Sequence, residues 1–143
     1  MTRAQFTIFL VRADGLAPAS LRTTPFVDVS PSAWYAPSVD AAFSAGLAHG
    51  ITSTTFDPRA PITREQMAVM LARLLGSSVA EGSLGAFTDA SSVAPWALAG
   101  VRTAVGAGLL VGFPNGSFQP AGLSTRAEAA AVLAKYLTYI GKV

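Results

Sequence analysis

The feature that most constrains the fold is an internal repeat with a period of 61 to 62 residues. Two complete copies occupy residues 24–76 and 86–141, and residues 1–20 match the last part of a further copy. The aligned pairs are Phe26 and Phe87, Trp34 and Trp96, Gly46 and Gly108, Gly50 and Gly112, Phe56 and Phe118, Pro58 and Pro120, and Arg64 and Arg126. Units of this kind bury their apolar faces against neighbouring units, so contacts between copies should dominate the fold.

Each complete copy predicts a helix, a short extended loop and a second helix. The first helix carries the tryptophan and spans about residues 33–46 in one copy and 95–107 in the other. A proline near the start and a glycine after the end favour these limits, namely Pro37 and Gly46, and Pro95 and Gly108. Between the copies, residues 77–85 (SSVAEGSLG) are typical of a surface linker.

The closing helix of each copy begins with a capping box, in which Thr and Gln or Glu stand three residues apart. These helices span about residues 2–15, 63–75 and 125–139, and their boxes are Thr2 and Gln5, Thr63 and Gln66, and Thr125 and Glu128. Apolar residues recur on them at helical spacing: Phe6, Phe9 and Leu10; Met67, Met70, Leu71 and Leu74; Val132, Leu133, Tyr136 and Leu137. We therefore predict a mainly α fold for residues 1–143, a single domain of tandem helix-loop-helix repeats packed as a pseudo-threefold bundle with short extended loops.

An arginine occupies the first position of all three closing helices, at Arg3, Arg64 and Arg126. A cation at this position faces the positive end of the helix dipole and costs roughly 0.3 to 1 kcal/mol. Three occurrences at one repeat position indicate a compensating interaction. One hypothesis is that the arginine and the N–H groups of the first turn together hold an anion.

Composition excludes several classes of function. Ten basic and eight acidic residues are scattered along the chain, which argues against a nucleic-acid partner. The chain has no cysteine and one histidine, His49, so a Ser-His-Asp triad, a thiolate nucleophile and a multi-histidine zinc site are not predicted. We predict no catalysis, no cofactor and no metal. The apolar run at residues 6–11 (FTIFLV) is too short to cross a bilayer, and we predict no membrane insertion.

The motifs Phe-x-Asp-Val, Trp, Gly-x-x-x-Gly, Phe-x-Pro and Ile-Thr-Arg-Glu, read in this order, resemble the S-layer homology family. The second copy departs from them at Ala90, where valine is usual. The resemblance implies three motifs folded around a central three-helix bundle. It also implies a function, the non-covalent anchoring of an exported protein to an anionic secondary polysaccharide of a bacterial cell wall, often a pyruvylated one. The expected location is extracellular, at the cell envelope.

The resemblance also implies ligand-binding residues. Arg3, Arg64 and Arg126 would line grooves between copies, Trp34 and Trp96 would offer an apolar face to a sugar ring, and Asp28 and Asp89 complete the candidate set. Alternatives stay open for each type. Arg64 and Arg126 could form structural ion pairs with the two aspartates, the tryptophans could belong to the core, and the aspartates could cap turns.

A second function is also consistent with the sequence. If the chain begins at residue 1, the apolar stripe at residues 1–20 has no tryptophan helix or loop of its own copy to cover it, and exposed apolar surface of this kind indicates an interface. The alternative is that the sequence is a fragment of a larger protein that contains the first part of this copy. Another molecule could supply the missing parts. Head-to-tail association of this type does not close on itself, so the alternative prediction is a self-assembling subunit of a filament or surface layer.

Overall fold

The computed structural model describes residues 1–18, 24–76 and 79–141, and within these ranges the protein is mainly helical. The α-helices are α1 (Arg3–Asp14), α2 (Ala36–Ser44), α3 (Arg64–Leu75), α4 (Leu98–Gly106) and α5 (Arg126–Tyr139), with one 3₁₀ turn at Ala90–Ser92. No strand occurs in these ranges, only isolated bridges. The mainly α fold class is confirmed, while the pseudo-threefold packing and the single domain over 1–143 stay predictions.

The chain forms two compact units, an N-terminal unit (Met1–Pro61) and a C-terminal unit (Ile62–Val143). In the N-terminal unit α1 packs against α2. Its core contains side chains that are completely buried: Phe6 and Leu10 of α1, Val39 of α2 and Phe56 of the loop that follows. Phe26 joins the loop to this core, because its ring lies 5.2 Å from Phe43 and 5.3 Å from Phe56.

In the C-terminal unit α3 packs against α4. Gly100 makes the close approach possible, since a Cβ atom there would lie 2.8 Å from the Cα atom of Val69. Met67 and Leu71 of α3 and Val101 of α4 are completely buried. The helix α5 buries Ala129, Val132, Leu133 and Tyr136. In both units, the closing helix of one copy therefore packs on the first helix of the next copy.

The helices that follow the tryptophans are shorter than the sequence predicts. The helix α2 begins at Ala36 and α4 begins at Leu98, so Trp34 and Trp96 lie in the turns before them. Neither helix has a side-chain cap at its start. Pro95 does not begin a helix either, because it forms a turn in which its carbonyl accepts the N–H of Leu98 at 3.5 Å.

Other predicted limits are confirmed. The closing helices lie at the predicted positions, and Gly46 and Gly108 adopt the left-handed conformation after α2 and α4, with φ of 76° and 75°. In the predicted linker, residues 77–78 lie outside the described ranges. The described part of the linker, residues 79–85, is hydrogen-bonded to α4, since the N–H of Gly82 donates to the carbonyl of Arg102 at 2.8 Å.

Candidate functional site

Each complete copy contains a loop that begins at a Phe-x-Pro motif, residues 56–61 and 118–123, and we call these the Phe-x-Pro loops. An aspartate fixes the start of each loop. The carboxylate of Asp28 accepts the N–H groups of Phe56 at 2.9 Å and Asp57 at 2.8 Å. Asp57 has a φ of 59°, a left-handed conformation that a residue with a side chain adopts only when its surroundings hold it there.

The second Phe-x-Pro loop repeats this geometry. Asp89 accepts the N–H groups of Phe118 and Gln119, both at 2.8 Å, and Gln119 has a φ of 58°. The hydrogen bond from Phe118 lowers the pKa of Asp89, and the charge of Arg64 adds to this effect, while desolvation partly opposes it. Both aspartates therefore cap a turn, which was one of the alternatives for them, and their carboxylates are engaged within the fold.

The first Phe-x-Pro loop covers the start of α1. The N–H of Arg3 donates to the carbonyl of Ala60 at 2.9 Å, and the N–H of Ala4 donates to the carbonyl of Pro58 at 3.0 Å. Thr2 forms an isolated antiparallel bridge with Pro61. Since the Thr2 hydroxyl accepts the third N–H of the helix at 3.1 Å, all three N–H groups of the first turn have partners within the unit.

The second Phe-x-Pro loop covers the start of α3 in the same way. The N–H of Arg64 donates to the carbonyl of Gly122 at 2.8 Å, and the N–H of Glu65 donates to the carbonyl of Pro120 at 2.9 Å. Thr63 forms a bridge with Leu123. At α1 and α3, the hypothesis that an anion uses the first-turn N–H groups is therefore wrong, because loop carbonyls already occupy those groups.

The side chain of Arg3 is held by the same loop. Arg3 is only 6% exposed, and its Nε donates to the carbonyl of Phe56 at 2.9 Å while Nη2 donates to the carbonyl of His49 at 3.2 Å. The guanidinium also lies 4.8 Å from the centre of the Phe56 ring. Carbonyl oxygens and an aromatic face offset the unfavourable helix dipole, which accounts for an arginine at this position.

Arg64 repeats the arrangement and is 4% exposed. Its Nε donates to the carbonyl of Phe118 at 2.8 Å and its Nη2 to the carbonyl of Val111 at 2.7 Å. The rings of Phe113 and Phe118 lie 4.6 and 4.7 Å from the guanidinium. The remaining nitrogen, Nη1, forms an ion pair with Glu128 of α5. Burial lowers the pKa of Arg64, and the charge of Asp89 raises it.

The start of α5 differs from both. The Thr125 hydroxyl accepts the N–H of Glu128 at 3.1 Å, but the Glu128 side chain does not complete the predicted capping box. That prediction is wrong because the carboxylate contacts Arg64 instead. Arg126 is exposed, unlike its two counterparts. The structural ion pairs considered between the arginines and the aspartates also do not form at Arg64, whose partner is Glu128.

The two tryptophans are strongly exposed. Trp34 is 70% exposed and Trp96 is 61% exposed, so the core alternative for these residues is wrong. The turn that holds Trp34 also holds the buried Tyr35, whose ring lies 5.3 Å from the indole in an edge-to-face arrangement. Each unit thus presents one indole to solvent at the equivalent repeat position.

Some residues that build the site have no side-chain signal in the sequence. The carbonyls of His49 and Val111 bind the two buried arginines, and any residue type can supply a carbonyl. The glycines that follow them, Gly50 and Gly112, could be recognised in the sequence because they align in the repeat. A Cβ atom at Gly50 would lie 2.3 Å from the carbonyl oxygen of Thr52, and one at Gly112 would lie 2.4 Å from the Phe87 ring.

Two other kinds of feature are absent from the described part of the chain. Within residues 1–18, 24–76 and 79–141, no group of three or more His, Cys, Asp or Glu side chains is arranged to hold a metal ion. In the same ranges, no helix has both the length and the apolar character needed to cross a membrane.

Comparison with known proteins agrees with the repeat. The profile of the S-layer homology domain matches residues 25–68 and 86–130, which together are more than half of the chain. The whole chain is 34% identical to part of an amylopullulanase from Thermoanaerobacterium thermosulfurigenes, and 96% of it is 38% identical to part of an endoglucanase from Bacillus sp. strain KSM-635. The chain spans only 8% and 15% of the lengths of these two enzymes. The similarity thus concerns the shared S-layer homology region.

A third relative is a cellulosome-anchoring protein from Acetivibrio thermocellus, which is 35% identical over 66% of this chain and 22% of its own length. Further relatives are bacterial surface-layer or cell-surface proteins. These similarities point to an extracellular location at the cell envelope, and the predicted location is confirmed.

Proposed function

Because the chain belongs to the S-layer homology family, whose domains anchor surface proteins to the cell wall, we propose that it attaches an exported protein to the wall non-covalently. We further propose that the ligand is an anionic secondary wall polysaccharide, for example one that carries pyruvate ketals. In this proposal, the residues around the Phe-x-Pro loops determine which glycan binds. The chain itself acts as an anchor and performs no catalysis.

The observation that carries the proposal is the exposure of an indole at the same repeat position in each unit. A single exposed apolar residue is common on protein surfaces, but tryptophan is enriched at binding interfaces, and here it recurs exposed at the same repeat position. An indole offers a flat apolar face with a polar N–H at its edge, which suits the mixed apolar and hydroxylated faces of a sugar ring. Trp34 and Trp96 are therefore the proposed sugar contacts.

The arginines would supply the charge that an acidic glycan requires. Arg126 is exposed at the start of α5, whereas Arg3 and Arg64 reach the loops with most of their surface buried. For a ligand carboxylate, a guanidinium already held by loop carbonyls is preorganised, which lowers the cost of binding. In this proposal Asp28 and Asp89 act indirectly, since their carboxylates hold the loops that surround the arginines.

The test is cosedimentation of the purified chain with wall sacculi, before and after the secondary polysaccharide is stripped, beside a sample without walls. Replacing Trp34 and Trp96 by Ala should weaken binding to unstripped walls by roughly tenfold for each residue. The matched control is Tyr139→Ala, which removes an aromatic ring that is also half exposed but lies at the end of α5.

The possible results separate the proposal from its alternatives. Pelleting with unstripped walls alone supports anchoring through the polysaccharide. Equal pelleting with stripped walls would exclude the polysaccharide as the ligand. Pelleting without walls would favour the self-assembling surface-layer subunit instead.

A further inference from the structure

Glu128 stands at the third position of α5 and behaves differently from its counterparts. In α1 the side-chain oxygen of Gln5 accepts the N–H of Thr2 at 2.9 Å, and in α3 that of Gln66 accepts the N–H of Thr63 at 3.0 Å. These contacts complete two capping boxes. The side chain of Glu128 does not make this contact and pairs with Arg64 instead. Of the three residues at this helix position, Glu128 alone carries a carboxylate, and it contacts a buried guanidinium.

The surroundings of Arg64 show which of its contacts a ligand could replace. Two guanidinium nitrogens donate to backbone carbonyls, that of Phe118 in the Phe-x-Pro loop and that of Val111 before it. The third, Nη1, faces Glu128, whose side chain is 23% exposed while that of Arg64 is 5% exposed. The carboxylate is therefore the solvent-facing partner, and it is the partner that can leave without unfolding the Phe-x-Pro loop.

We infer that Glu128 is an internal counter-ion at Arg64 which an acidic group of the bound glycan displaces, so that Glu128 determines the selectivity of this site for anions. The inference rests on the function proposed above. A ligand carboxylate takes the place at Nη1, and Glu128 turns back to the N–H of Thr125, in the position that Gln5 and Gln66 occupy in their helices.

The exchange explains how the site could reject neutral sugars. A buried guanidinium that loses its counter-ion keeps an uncompensated charge in a poorly solvated position, which is strongly unfavourable. A neutral sugar cannot replace that charge, whereas a carboxylate can. The alternative position for Glu128 is favourable in its own right, because a carboxylate in the first turn of a helix interacts well with the helix dipole and caps an N–H group.

The test compares wall binding of the wild-type chain with that of Glu128→Gln. Glutamine is the residue found at this position in α1 and α3, so the variant should fold and complete the capping box. With the competing carboxylate removed, the apparent affinity for unstripped sacculi should rise by roughly tenfold or more, because the ligand no longer has to displace a counter-ion from a largely buried guanidinium. Glu81→Gln is the matched control, because it removes the same charge from a half-exposed pair with Arg102 and should leave binding unchanged.

A second measurement follows the exchange in the wild-type chain itself. When polysaccharide released from walls is added, the amide hydrogen of Thr125 should exchange more slowly with solvent, since the freed Glu128 accepts it. Tighter binding by Glu128→Gln alone, together with slower Thr125 exchange, supports the inference.

Three results would overturn it. Wild-type binding with an unchanged or weakened Glu128→Gln variant would refute the counter-ion exchange and leave the proposed anchoring intact. An equal gain in Glu81→Gln would show that net charge alone controls affinity. If the wild-type chain does not bind unstripped walls at all, the proposed function fails and the inference fails with it.

Discussion

The helices α3 and α5 begin with the same Thr-Arg pair, yet the two arginines have opposite surroundings. Arg64 is buried beneath a Phe-x-Pro loop that binds both its guanidinium and the N–H groups of its helix, whereas Arg126 is exposed. The sequence contains two Phe-x-Pro loops, and these cover the starts of α1 and α3. At α3, the loop of the following copy and not the helix itself therefore determines the surroundings of the arginine.

Removing each arginine in turn should affect the stability of the chain very differently. Arg64→Ala should lower the free energy of unfolding by about 3 kcal/mol, because the buried carbonyl of Phe118, the partly buried carbonyl of Val111 and the Glu128 carboxylate lose a charged partner. Arg126→Ala should change it by less than about 0.5 kcal/mol, as is usual for an exposed side chain. Urea denaturation followed by circular dichroism measures both. Equal losses in the two variants would show that burial of the arginine is not what distinguishes the helices.

Much of this fold could be predicted from the sequence, since the repeat defines the closing helices and the buried Phe and Pro positions. The limits of the tryptophan helices could not, because Pro95 suits a turn as well as a helix start. The contact of Glu128 with Arg64 could not be predicted either. Capping-box spacing is a local signal, and the competing partner Arg64 lies 64 residues away.

The surroundings of the arginines were partly predictable. Their recurrence at one position indicated a compensating interaction, but the compensating groups include the backbone carbonyls of His49 and Val111, which no residue type indicates. The exposure of Trp34 and Trp96 could not be predicted from the sequence, because a large aromatic residue at a repeat position is compatible with a core as well as with a binding surface.

Protonation of Asp89 should loosen the loop that covers the start of α3. Its pKa lies below the ordinary value of about 3.8, chiefly because it accepts the N–H of Phe118. Its contribution to stability is therefore complete above that ordinary value and is lost as the pH falls through the lower pKa of the folded state. Replacing Asp89 by Asn should cost about 1 to 2 kcal/mol at neutral pH.

The measurement is the urea midpoint of the wild-type chain and of Asp89→Asn at neutral pH and at successive values below about 4, the range in which an aspartate titrates. The gap between the two should narrow towards the acid end, because protonation removes from the wild-type chain the charge that the variant already lacks. A constant gap over the whole range would contradict the role of the charged carboxylate in holding the loop.

The smallest expected difference lies between the two threonine caps. Thr63 belongs to a complete capping box, in which Gln66 returns a hydrogen bond to its N–H, whereas Thr125 only receives the N–H of Glu128. Thr63→Ala should therefore lower the free energy of unfolding by about 1 to 2 kcal/mol and Thr125→Ala by about 0.5 to 1 kcal/mol, since the loss of an N-cap depends on how many partners it holds in place.

Thermal unfolding of both threonine variants, made in the wild-type chain and again in Glu128→Gln, measures this difference. If the introduced glutamine completes the box at α5, the cost of Thr125→Ala should rise towards that of Thr63→Ala; an unchanged cost would mean that the carboxylate of Glu128 is not what keeps the box at α5 open.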